Sequence, residues 1–449
     1  MIASKLPAAI IGLGKTGISV AKFFKKNKIE FKAYDTRKDL DLTDGIKKNI
    51  KEENIILGPL ENKLIASHDN FIVSPGVCLK KDFIEKINSQ NKNIQTDVDI
   101  FDSYNRKNIV CVTGSNGKTS VTLILEYMLK FLGKKVAAGG NVGTPVLELL
   151  YNDYEYHILE LSSFQLEMTK KIQCDVSLIT NITPDHLDRH KNFENYKKIK
   201  HKIFLNSNSI VINRTDRNIN VKNAPLHYSF GCDNAPNKSS FGIVKIDSTN
   251  YIVQGSEKIL SENEIKLIGR HNLENICASL AVINILNLDL EKAVEGIKDF
   301  KSIQHRMEKF CEKNKISWIN DSKSTNIEST ISAVKSISGN IILILGGRSK
   351  TNNYDKLQEV LQNKSVFLIL YGECKNLLNE NIKIKKNKVL VEDIKSAVDE
   401  AYKIAKSIPK FDEKKITILL SPACSSFDMY SSFEERGDHF KNEVLKKHG

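Results

Sequence analysis

The chain has 449 residues, a formal net charge of +13, and 41% hydrophobic residues. One hydrophobic core rarely serves a chain of this length, so two or three domains are expected. The composition is typical of a soluble globular protein, and no apolar run approaches the length of a membrane span. The first twenty residues look like a strand and a glycine loop without signal-peptide organisation, which predicts a cytoplasmic protein.

The eight cysteines are scattered and form no C-x-x-C pair. This spacing argues against a zinc site and against a disulfide framework, and it suits a reducing cytosol. The lysines are spread evenly, without basic blocks interleaved with aromatic residues. We therefore expect no nucleic-acid partner, although the positive charge attracts small anions.

The amino-terminal segment is predicted to be a small α/β unit. A strand over residues 8–11 leads into a glycine loop over 12–17 and a helix that ends at about residue 26. A second strand ends at Asp35, and a third, over 71–74, runs into Ser74-Pro-Gly76. From residue 94 to 105 the pattern loosens.

The first glycine loop has the spacing G-x-G-x-x-G, which allows close approach of a diphosphate. Asp35, which closes the next strand, is placed to hold a ribose hydroxyl. Three interpretations stay open at this point. The loop can be the dinucleotide fingerprint of a dehydrogenase, a turn without a ligand, or a site for another nucleotide diphosphate contacted by Thr16 and Arg37.

The stretch 109–119, IVCVTGSNGKT, carries the strongest chemical signal. An apolar strand breaks into a glycine-rich turn, and Lys118 and Thr119 then open a helix predicted over 120–130. Backbone N–H groups and the helix N-terminus favour phosphate there. The lysine and the hydroxyl complete a site for a nucleoside triphosphate and Mg²⁺. The strict Walker pattern fails, because Val112 stands where that pattern has glycine.

Strands and helices alternate after this loop. Strands are predicted at 157–161, 176–180 and 210–213, followed by a turn-rich segment of short strands over 228–264 and a helix over 272–286. A boundary near 300–304 precedes a third α/β unit. Its strands are predicted at 316–320, 340–345, 365–370 and 416–420, with a final helix from about 432. Ligand sites are expected where these strands end.

Two groups of polar residues follow the phosphate loop. Glu160 ends a strand, and its carboxylate can reach a metal bound by the triphosphate. His186 and His190 are four residues apart, a spacing that suits zinc on a helix, but no third ligand of zinc type is evident. His186 fits better near a second Mg²⁺, and His190 is predicted to be a solvated residue at a helix start.

The third unit contains several candidate anion-binding side chains. Arg306 can neutralise charge on a transferring phosphoryl group. Asp321 can accept from a ribose, while Lys323 and Thr325 can hold phosphate or carboxylate; helix capping is the alternative. Two further loops place side chains for an anionic second substrate, namely Lys350 and Ser426. The lysine-rich segment 196–204 gives no compositional reason to choose one lysine.

Together, these segments resemble the Mur ligases, ATP-dependent enzymes that form amide bonds in peptidoglycan synthesis. The matching motifs stand in family order at 113–119, 140–143, 160–165, 181–189, 305–306 and 320–326, and the resemblance covers essentially the whole chain. It implies an α/β fold of three domains. These are a Rossmann-like UDP domain over 1–98, a central P-loop ATPase domain over 99–302 and a Rossmann-like carboxyl-terminal domain over 303–449.

The glycine loop at 12–17, the segments 35–37 and 74–76, and the run 420–426 with Phe433 most resemble the family branch that adds D-glutamate to UDP-N-acetylmuramoyl-L-alanine. The resemblance implies a reaction through an acyl phosphate, and UDP rather than NAD in the first loop. It also implies ATP and two Mg²⁺ ions as cofactors, and we expect a monomer. The family carries the shorter T-G-x-N-G-K-T form of the phosphate loop.

The same resemblance implies a role for each candidate residue. The implied catalytic residues are Lys118, His186, Lys200 and Arg306, with Lys200 carbamylated by CO₂. The residues implied to bind ATP are Gly114, Ser115, Asn116, Gly117, Lys118, Thr119, Ser120, Asn275, Arg306 and Asp321. The UDP substrate is assigned to Gly14, Thr16, Asp35, Thr36, Arg37, Ser74, Gly76 and Asn141. D-Glutamate is assigned to His186, Lys323, Thr325, Lys350, Ser426 and Phe433, and the metal ions to Thr119, Glu160, His186 and Lys200.

Other functions predict different features. A folylpolyglutamate synthetase begins directly at its ATPase domain, so residues 1–93 argue against that activity. Sibling muramyl ligases, which add alanine or diamino acids, have different first domains. A dehydrogenase predicts NAD binding without ATP dependence, and a simple nucleotide-binding module would need none of the third-domain loops.

Overall fold

A computed structural model describes residues 6–105, 107–221, 227–301, 303–384, 388–408 and 415–448. The chain divides into two compact units, Met1–Glu264 with Glu274–Lys298, and Ile265–Leu273 with Asp299–Gly449. The first unit carries two β-sheets and the second unit carries one. The α/β prediction is confirmed, while the predicted domain boundaries at 98/99 and 302/303 stay predictions.

The amino-terminal sheet has five parallel strands in the order β3-β2-β1-β4-β5. The strands are β1 Ala8–Ile11, β2 Phe31–Asp35, β3 Ile55–Leu57, β4 Asn70–Val73 and β5 Asn93–Gln95. The helices are α1 Lys15–Lys26, α2 Asp44–Asn49, α3 Lys63–Ala66, α4 Lys81–Ser89 and α5 Asp97–Tyr104. The chain runs from β1 through β2 to β3 on one side of β1 and continues with β4 and β5 on the other side, so the loop after β1 lies at the crevice where such folds bind ligands.

Helix α5 occupies the segment where the sequence pattern loosened. Three aspartates in eight residues lower its intrinsic helix propensity. A reciprocal cap starts it nevertheless: the Thr96 hydroxyl accepts from the Asp99 N–H, and the Asp99 carboxylate accepts from the Thr96 N–H. Val98 and Phe101 are fully buried, so packing stabilises a helix that the sequence pattern alone does not predict.

The central sheet has nine strands in the order β14-β13-β12-β11-β10-β9-β6-β8-β7. The strands are β6 Asn108–Thr113, β7 Val136–Gly140, β8 Tyr156–Glu160, β9 Cys174–Ile179, β10 Ser207–Asn213, β11 His227–Phe230, β12 Ser240–Ile246, β13 Thr249–Gln254 and β14 Glu257–Ser261. The helices are α6 Lys118–Phe131, α7 Ser163–Met168, α8 Leu187–His190, α9 Phe193–His201, α10 Arg270–Ile285 and α11 Leu290–Lys298. Pairing is parallel from β7 to β12 and antiparallel beyond, and β6 lies between β8 and β9.

The carboxyl-terminal sheet has six strands in the order β15-β16-β20-β17-β18-β19, with only β15 antiparallel. The strands are β15 Glu308–Lys313, β16 Ile316–Asn320, β17 Asn340–Gly346, β18 Val366–Tyr371, β19 Lys388–Leu390 and β20 Ile416–Ala423. The helices are α12 Ile327–Ser336, α13 Asp355–Gln362, α14 Lys375–Asn381, α15 Ile394–Ser407 and α16 Phe433–His448. Strand β17 is buried at every position, as expected for a parallel strand covered on both faces.

Within the first unit, the two sheets share one hydrophobic cluster that includes Phe24, Phe101 and Leu147. The carboxylate of Asp99 also accepts the backbone N–H groups of residues 170 and 171, which links α5 to the segment after α7. Among the described residues, no helix has both the length and the apolar character needed to cross a bilayer.

Candidate functional site

The phosphate loop follows β6 and requires glycine at two positions. Gly114 has φ +153°, and a Cβ there would lie 1.9 Å from Thr180 Oγ1. Gly117 has φ +84°, and a Cβ there would lie 2.7 Å from Asn275 Oδ1. Both backbone conformations are rare for residues with a side chain. The glycines therefore let the loop pack closely against its neighbours before helix α6 begins at Lys118.

Residues after the neighbouring strand β9 hold this loop in place. The Thr180 hydroxyl donates to the Asn116 carbonyl at 2.6 Å. The Asn181 side chain accepts from the Asn116 N–H at 2.9 Å and donates to its carbonyl at 3.0 Å. The Ser115 N–H donates to the Asn181 carbonyl at 2.8 Å. These bonds fix the loop, so less conformational entropy is lost when phosphate binds.

We expect Gly114→Ala to weaken ATP binding by about 10-fold or more, because strain of about 1–3 kcal/mol would be relieved by moving the loop. Titration calorimetry with MgATP measures the change. Gly133→Ala is the matched control: Gly133 also has a positive φ, +76°, but a Cβ there would meet nothing within 4 Å. Equal affinities of the two variants for MgATP would contradict the prediction.

Two lysines converge on the carbonyl of Gly114. Lys118 Nζ donates to it at 2.8 Å and to the Ser115 carbonyl at 3.0 Å. Lys200 Nζ, from helix α9, donates to the same Gly114 carbonyl at 2.8 Å. Thr119 and Ser120 lie buried in the first turn of α6, which has no acidic residue. The loop and the helix N-terminus therefore form a site of positive potential suited to phosphate.

Lys200 is buried, with 1% of its surface exposed. Burial, assisted by the charge of Lys118, holds the pKa of Lys200 well below its usual value, although Asp185 and Glu160 oppose the shift. The neutral amine is therefore favoured far more than in an ordinary surface lysine. The tertiary structure thus distinguishes Lys200 from exposed Lys198 on the same helix, a choice that composition could not make.

Glu160, at the end of β8, is also buried. Its Oε1 accepts from the Asn141 side-chain amide at 2.8 Å, and its Oε2 has no hydrogen-bond partner within the part of the chain described. A buried carboxylate oxygen without a donor is costly, and a cation would satisfy it. The described residues hold no cluster of three or more His, Cys, Asp or Glu side chains able to bind a metal. The Glu160 carboxylate and the Thr119 hydroxyl are oxygen donors of the kind that Mg²⁺ prefers, so these two side chains fit that ion.

The two histidines of the segment 181–190 occupy different environments. His186 caps α8 with φ +52°, is half-buried, and has its Nε2 3.5 Å from an oxygen of Asp185. The prediction that His190 is solvated is wrong: it is fully buried, its Nε2 lies 3.0 Å from Ser163 Oγ, and burial lowers its pKa. The short helix α8 turns this side chain back onto the ring of Tyr196, 5.4 Å away between centroids.

Tyr196 is a site residue that the sequence analysis did not single out. Its hydroxyl lies 2.9 Å from Ser115 Oγ, and Lys200 Nζ lies 4.8 Å from the centre of its ring. Tyr196 and Lys200 are four residues apart on α9, so they share one helix face. Once the structure shows that Lys200 is buried, this spacing explains why Tyr196 faces the phosphate loop beside it.

In the amino-terminal sheet, the predicted nucleotide loop is held by Asp35 and Ser74. The buried Asp35 carboxylate accepts from the Leu13 N–H and from two guanidinium nitrogens of Arg37, each at 2.8 Å. Ser74 Oγ donates to the Gly12 carbonyl at 2.9 Å. The other residues assigned to the UDP substrate are exposed or half-buried: Gly14, Thr16, Thr36, Gly76 and Asn141.

Burial alone would raise the pKa of Asp35, but the hydrogen bonds from Arg37 and Leu13 outweigh it and lower the pKa to about 2. Because the folded pKa is depressed, the stabilisation is complete above the unfolded pKa of about 3.8 and is lost as pH falls towards 2.

We expect Asp35→Asn to lower the free energy of unfolding by about 2 kcal/mol at pH 7. Urea unfolding of the variant and the parent across pH should show the difference disappearing between about pH 4 and pH 2. Exposed Asp39→Asn serves as the control and should show little change. A difference that persists unchanged to pH 2 would refute the electrostatic explanation.

In the second unit, Asp321 follows β16 and is 5% exposed. It accepts from Ser324 Oγ at 2.5 Å, Ser421 Oγ at 2.8 Å and the Met307 N–H at 3.1 Å. Burial raises the pKa of Asp321 to about 6 even though these donors favour the charged form. Asp321 therefore ties the segment around Arg306 to strand β20.

Of the six residues predicted to bind D-glutamate, His186 lies in the first unit and Phe433 begins α16. The other four lie in loops at the carboxyl ends of β16, β17 and β20: Lys323, Thr325, Lys350 and Ser426. Lys323 Nζ stands 3.7 Å from the ring centre of Phe433, the first residue of α16. Ser426 is buried, Thr325 is half-buried and Lys350 is exposed. Arg306 is half-buried as well.

Arg436 is a second residue that the sequence analysis missed. It is fully buried, and its guanidinium donates to Ser322 Oγ at 2.9 Å, to the Ser322 carbonyl at 2.8 Å and to the Cys424 carbonyl at 3.1 Å. It therefore joins the loop after β16 to the loop that contains Ser426. No local pattern distinguishes Arg436, because the sequence of α16 is that of an ordinary charged helix.

Comparison with protein families accounts for nearly the whole chain. Residues 7–96 match the profile "Mur ligase MurD-like, N-terminal domain". Residues 112–283 match "Mur ligase middle domain", and residues 305–424 match "Mur ligase, glutamate ligase domain". The matches follow the three sheets in chain order.

Two relatives, both UDP-N-acetylmuramoylalanine–D-glutamate ligases, match almost from end to end. The Pseudomonas putida enzyme is 32% identical over 447 residues, covering 98% of this chain and 97% of its own. The Coxiella burnetii enzyme is 33% identical over 451 residues, covering 99% of each chain.

A solved structure has the same fold at low sequence identity. The MurF ligase from Thermotoga maritima in complex with ADP aligns with a TM-score of 0.61 and 17% identity, covering 99% of this chain and 96% of its own. This likeness concerns the fold. The full-length relatives and the three domain matches show that the chain belongs to the Mur ligase family.

Proposed function

We propose that the protein joins D-glutamate to UDP-N-acetylmuramoyl-L-alanine in an ATP-dependent reaction of cytoplasmic peptidoglycan precursor synthesis. Relatives with that name match over nearly the whole chain, and a glutamate ligase domain covers residues 305–424. The observation that carries the proposal is the convergence of Lys118 and buried Lys200 on the Gly114 carbonyl in a phosphate loop.

The first step is phosphoryl transfer. The phosphate loop and Lys118 bind the ATP phosphates, and the alanyl carboxylate attacks the γ-phosphorus, so that ADP leaves and an acyl phosphate forms. Lys118 and Arg306 offset the negative charge that develops. Asn275 contacts adenine. Asp321 Oδ1 accepts one N–H in the structure, which leaves acceptor capacity for a ribose hydroxyl.

The second step is acyl transfer. The amine of D-glutamate attacks the carbonyl carbon of the acyl phosphate, the tetrahedral intermediate expels phosphate, and an amide remains. Residues of the second unit hold the glutamate: Lys323, Thr325, Lys350, Ser426 and Phe433. His186 is assigned to the reacting centre, and the loops around Gly14, Thr16 and Arg37 to the UDP group.

The residues present also fit two Mg²⁺ ions. Thr119 and Glu160 would hold one, since Glu160 Oε2 is buried without a donor among the described residues. His186 and a carbamylated Lys200 would hold the other, because the neutral Lys200 amine can react with CO₂ to give a carbamate, which releases one proton and offers oxygen ligands. When bound, Mg²⁺ would neutralise phosphate charge and polarise the phosphoryl group.

The test is phosphate release from ATP with UDP-N-acetylmuramoyl-L-alanine, measured with and without D-glutamate. We expect release that depends on D-glutamate, together with a product whose mass equals that of the two substrates less water. L-Glutamate at the same concentration is the stereochemical control. Release that is indifferent to D-glutamate would refute the proposal.

A further inference from the structure

Four of the eight cysteines lie in two contact pairs that their spacing in the sequence does not reveal. In the second unit, the sulfurs of Cys374 and Cys424 are 3.3 Å apart. Cys374 precedes α14 and is 5% exposed, while Cys424 follows β20 and is fully buried. In the first unit, the sulfurs of Cys111 and Cys174 are 2.7 Å apart, and both residues are fully buried. All four are free thiols.

The two pairs differ in electrostatic environment. Hydrogen bonding from Cys374, supported by Tyr354 Oη at 3.8 Å and the charge of Arg436, lowers the pKa of Cys424 despite its burial. Burial raises the pKa of Cys111 well above its usual value, with Cys174 adding to the shift. The hydrogen bond to Cys424, together with burial, raises the pKa of Cys374, so within the second-unit pair Cys424 is the thiol that reaches the reactive thiolate form more readily.

Cys424 is also joined to two of the loops assigned to D-glutamate, those that contain Ser426 and Lys350. It stands two residues before Ser426, and its neighbour Ser425 exchanges backbone hydrogen bonds with Arg348 at 2.9 and 3.0 Å. Tyr354 Oη, which contacts the Cys424 sulfur, lies 2.5 Å from Ser349 Oγ, next to Lys350. A displacement of Cys424 is therefore transmitted towards Ser426 on one side and Lys350 on the other.

We propose that Cys374 and Cys424 form a reversible disulfide under peroxide and that this oxidation weakens the binding of D-glutamate. The Cys424 thiolate attacks one peroxide oxygen, the O–O bond breaks, and the departing hydroxide is protonated to water. The Cys374 sulfur then attacks the resulting sulfenic sulfur, the S–S bond forms, and the sulfenic oxygen leaves with the Cys374 proton as a second water. Two thiols are oxidised and one peroxide is reduced.

We expect the disulfide to impair the binding of D-glutamate and not the binding of ATP. A disulfide requires sulfurs about 2.05 Å apart, so the pair must close by roughly 1 Å from its present separation. Misplacement of binding groups by about 1 Å costs up to about 100-fold in rate. This inference rests on the proposed function, in which the loops around Ser426 and Lys350 hold D-glutamate, whereas ATP is assigned to the phosphate loop and to Arg306 and Asp321, which lie outside those two loops. The KM for D-glutamate should therefore rise by about 10-fold or more, and the KM for ATP should not.

The experiment treats the full-length protein with hydrogen peroxide, blocks free thiols with N-ethylmaleimide and maps the cross-linked peptides by mass spectrometry. We expect a Cys374–Cys424 peptide, a raised KM for D-glutamate, and recovery of both with dithiothreitol. Cys374→Ala should keep the parent KM after peroxide, and Cys78→Ala, which removes an exposed lone thiol, should respond like the parent.

Absence of the cross-linked peptide overturns the proposal, as does an equal rise in KM for peroxide-treated Cys374→Ala. A cross-link confined to Cys111 and Cys174 overturns it too. Peptide mapping does not require an active enzyme, so it distinguishes failure of the disulfide proposal from failure of the proposed function. A cross-link in a protein whose reduced form shows no D-glutamate-dependent phosphate release contradicts the proposed function and the effect on D-glutamate, but leaves the thiol chemistry standing.

Discussion

Replacing Lys200 with alanine is expected to reduce D-glutamate-dependent phosphate release by at least about 100-fold. The buried amine donates to the Gly114 carbonyl at the centre of the phosphate loop, and burial holds its pKa well below the usual value. Alanine removes both that contact and the carbamate that we propose forms there. Initial rates of phosphate release at saturating substrates give the magnitude.

Chemical rescue makes the Lys200→Ala test specific for the carbamate. Acetate or bicarbonate supplies a small carboxylate to the space left by the side chain, so partial recovery of activity is expected. Lys198→Ala is the matched control, since Lys198 lies exposed on the same helix, and it should stay near parental activity. Loss without any rescue would leave Lys200 important but would contradict carbamylation.

Glu160→Gln is expected to lower the activity of the protein without lowering its stability. The variant is expected to lose at least about 100-fold in activity, because the proposed metal ligand loses its charge. Its free energy of unfolding without Mg²⁺ should stay the same or rise by about 1 kcal/mol. A buried carboxylate oxygen that lacks a donor among the described residues is removed, while the acceptor for Asn141 is retained.

Activity assays across Mg²⁺ concentration and urea unfolding in chelator measure the two effects of Glu160→Gln. Glu155→Gln is the control: this exposed residue precedes the opposite end of β8, and its carboxylate accepts the backbone N–H of Lys135 at 3.1 Å, a donor that a glutamine oxygen can also bind. An inactive Glu160→Gln protein that is also several kcal/mol less stable would point to a structural role instead.

Local signals were sufficient for most of the fold. The apolar run before Gly114, the glycine turn and the following helix are all in the predicted order, because strand, turn and cap preferences act over a few residues. Helix α5 was harder to predict, since its aspartates disfavour a helix and only the cap at Thr96 and the burial of Phe101 favour it.

The sequence by itself determined the phosphate loop, its lysine and the order of the family motifs, because glycine conformation and motif spacing are local properties. Tertiary structure alone decided which lysine of α9 is buried, that His190 lies inside the core, that Glu160 keeps an oxygen without a donor in the described chain, and that Cys374 meets Cys424. Burial, pKa shifts and contacts across 50 residues depend on how strands are ordered in a sheet, and no local pattern encodes that order.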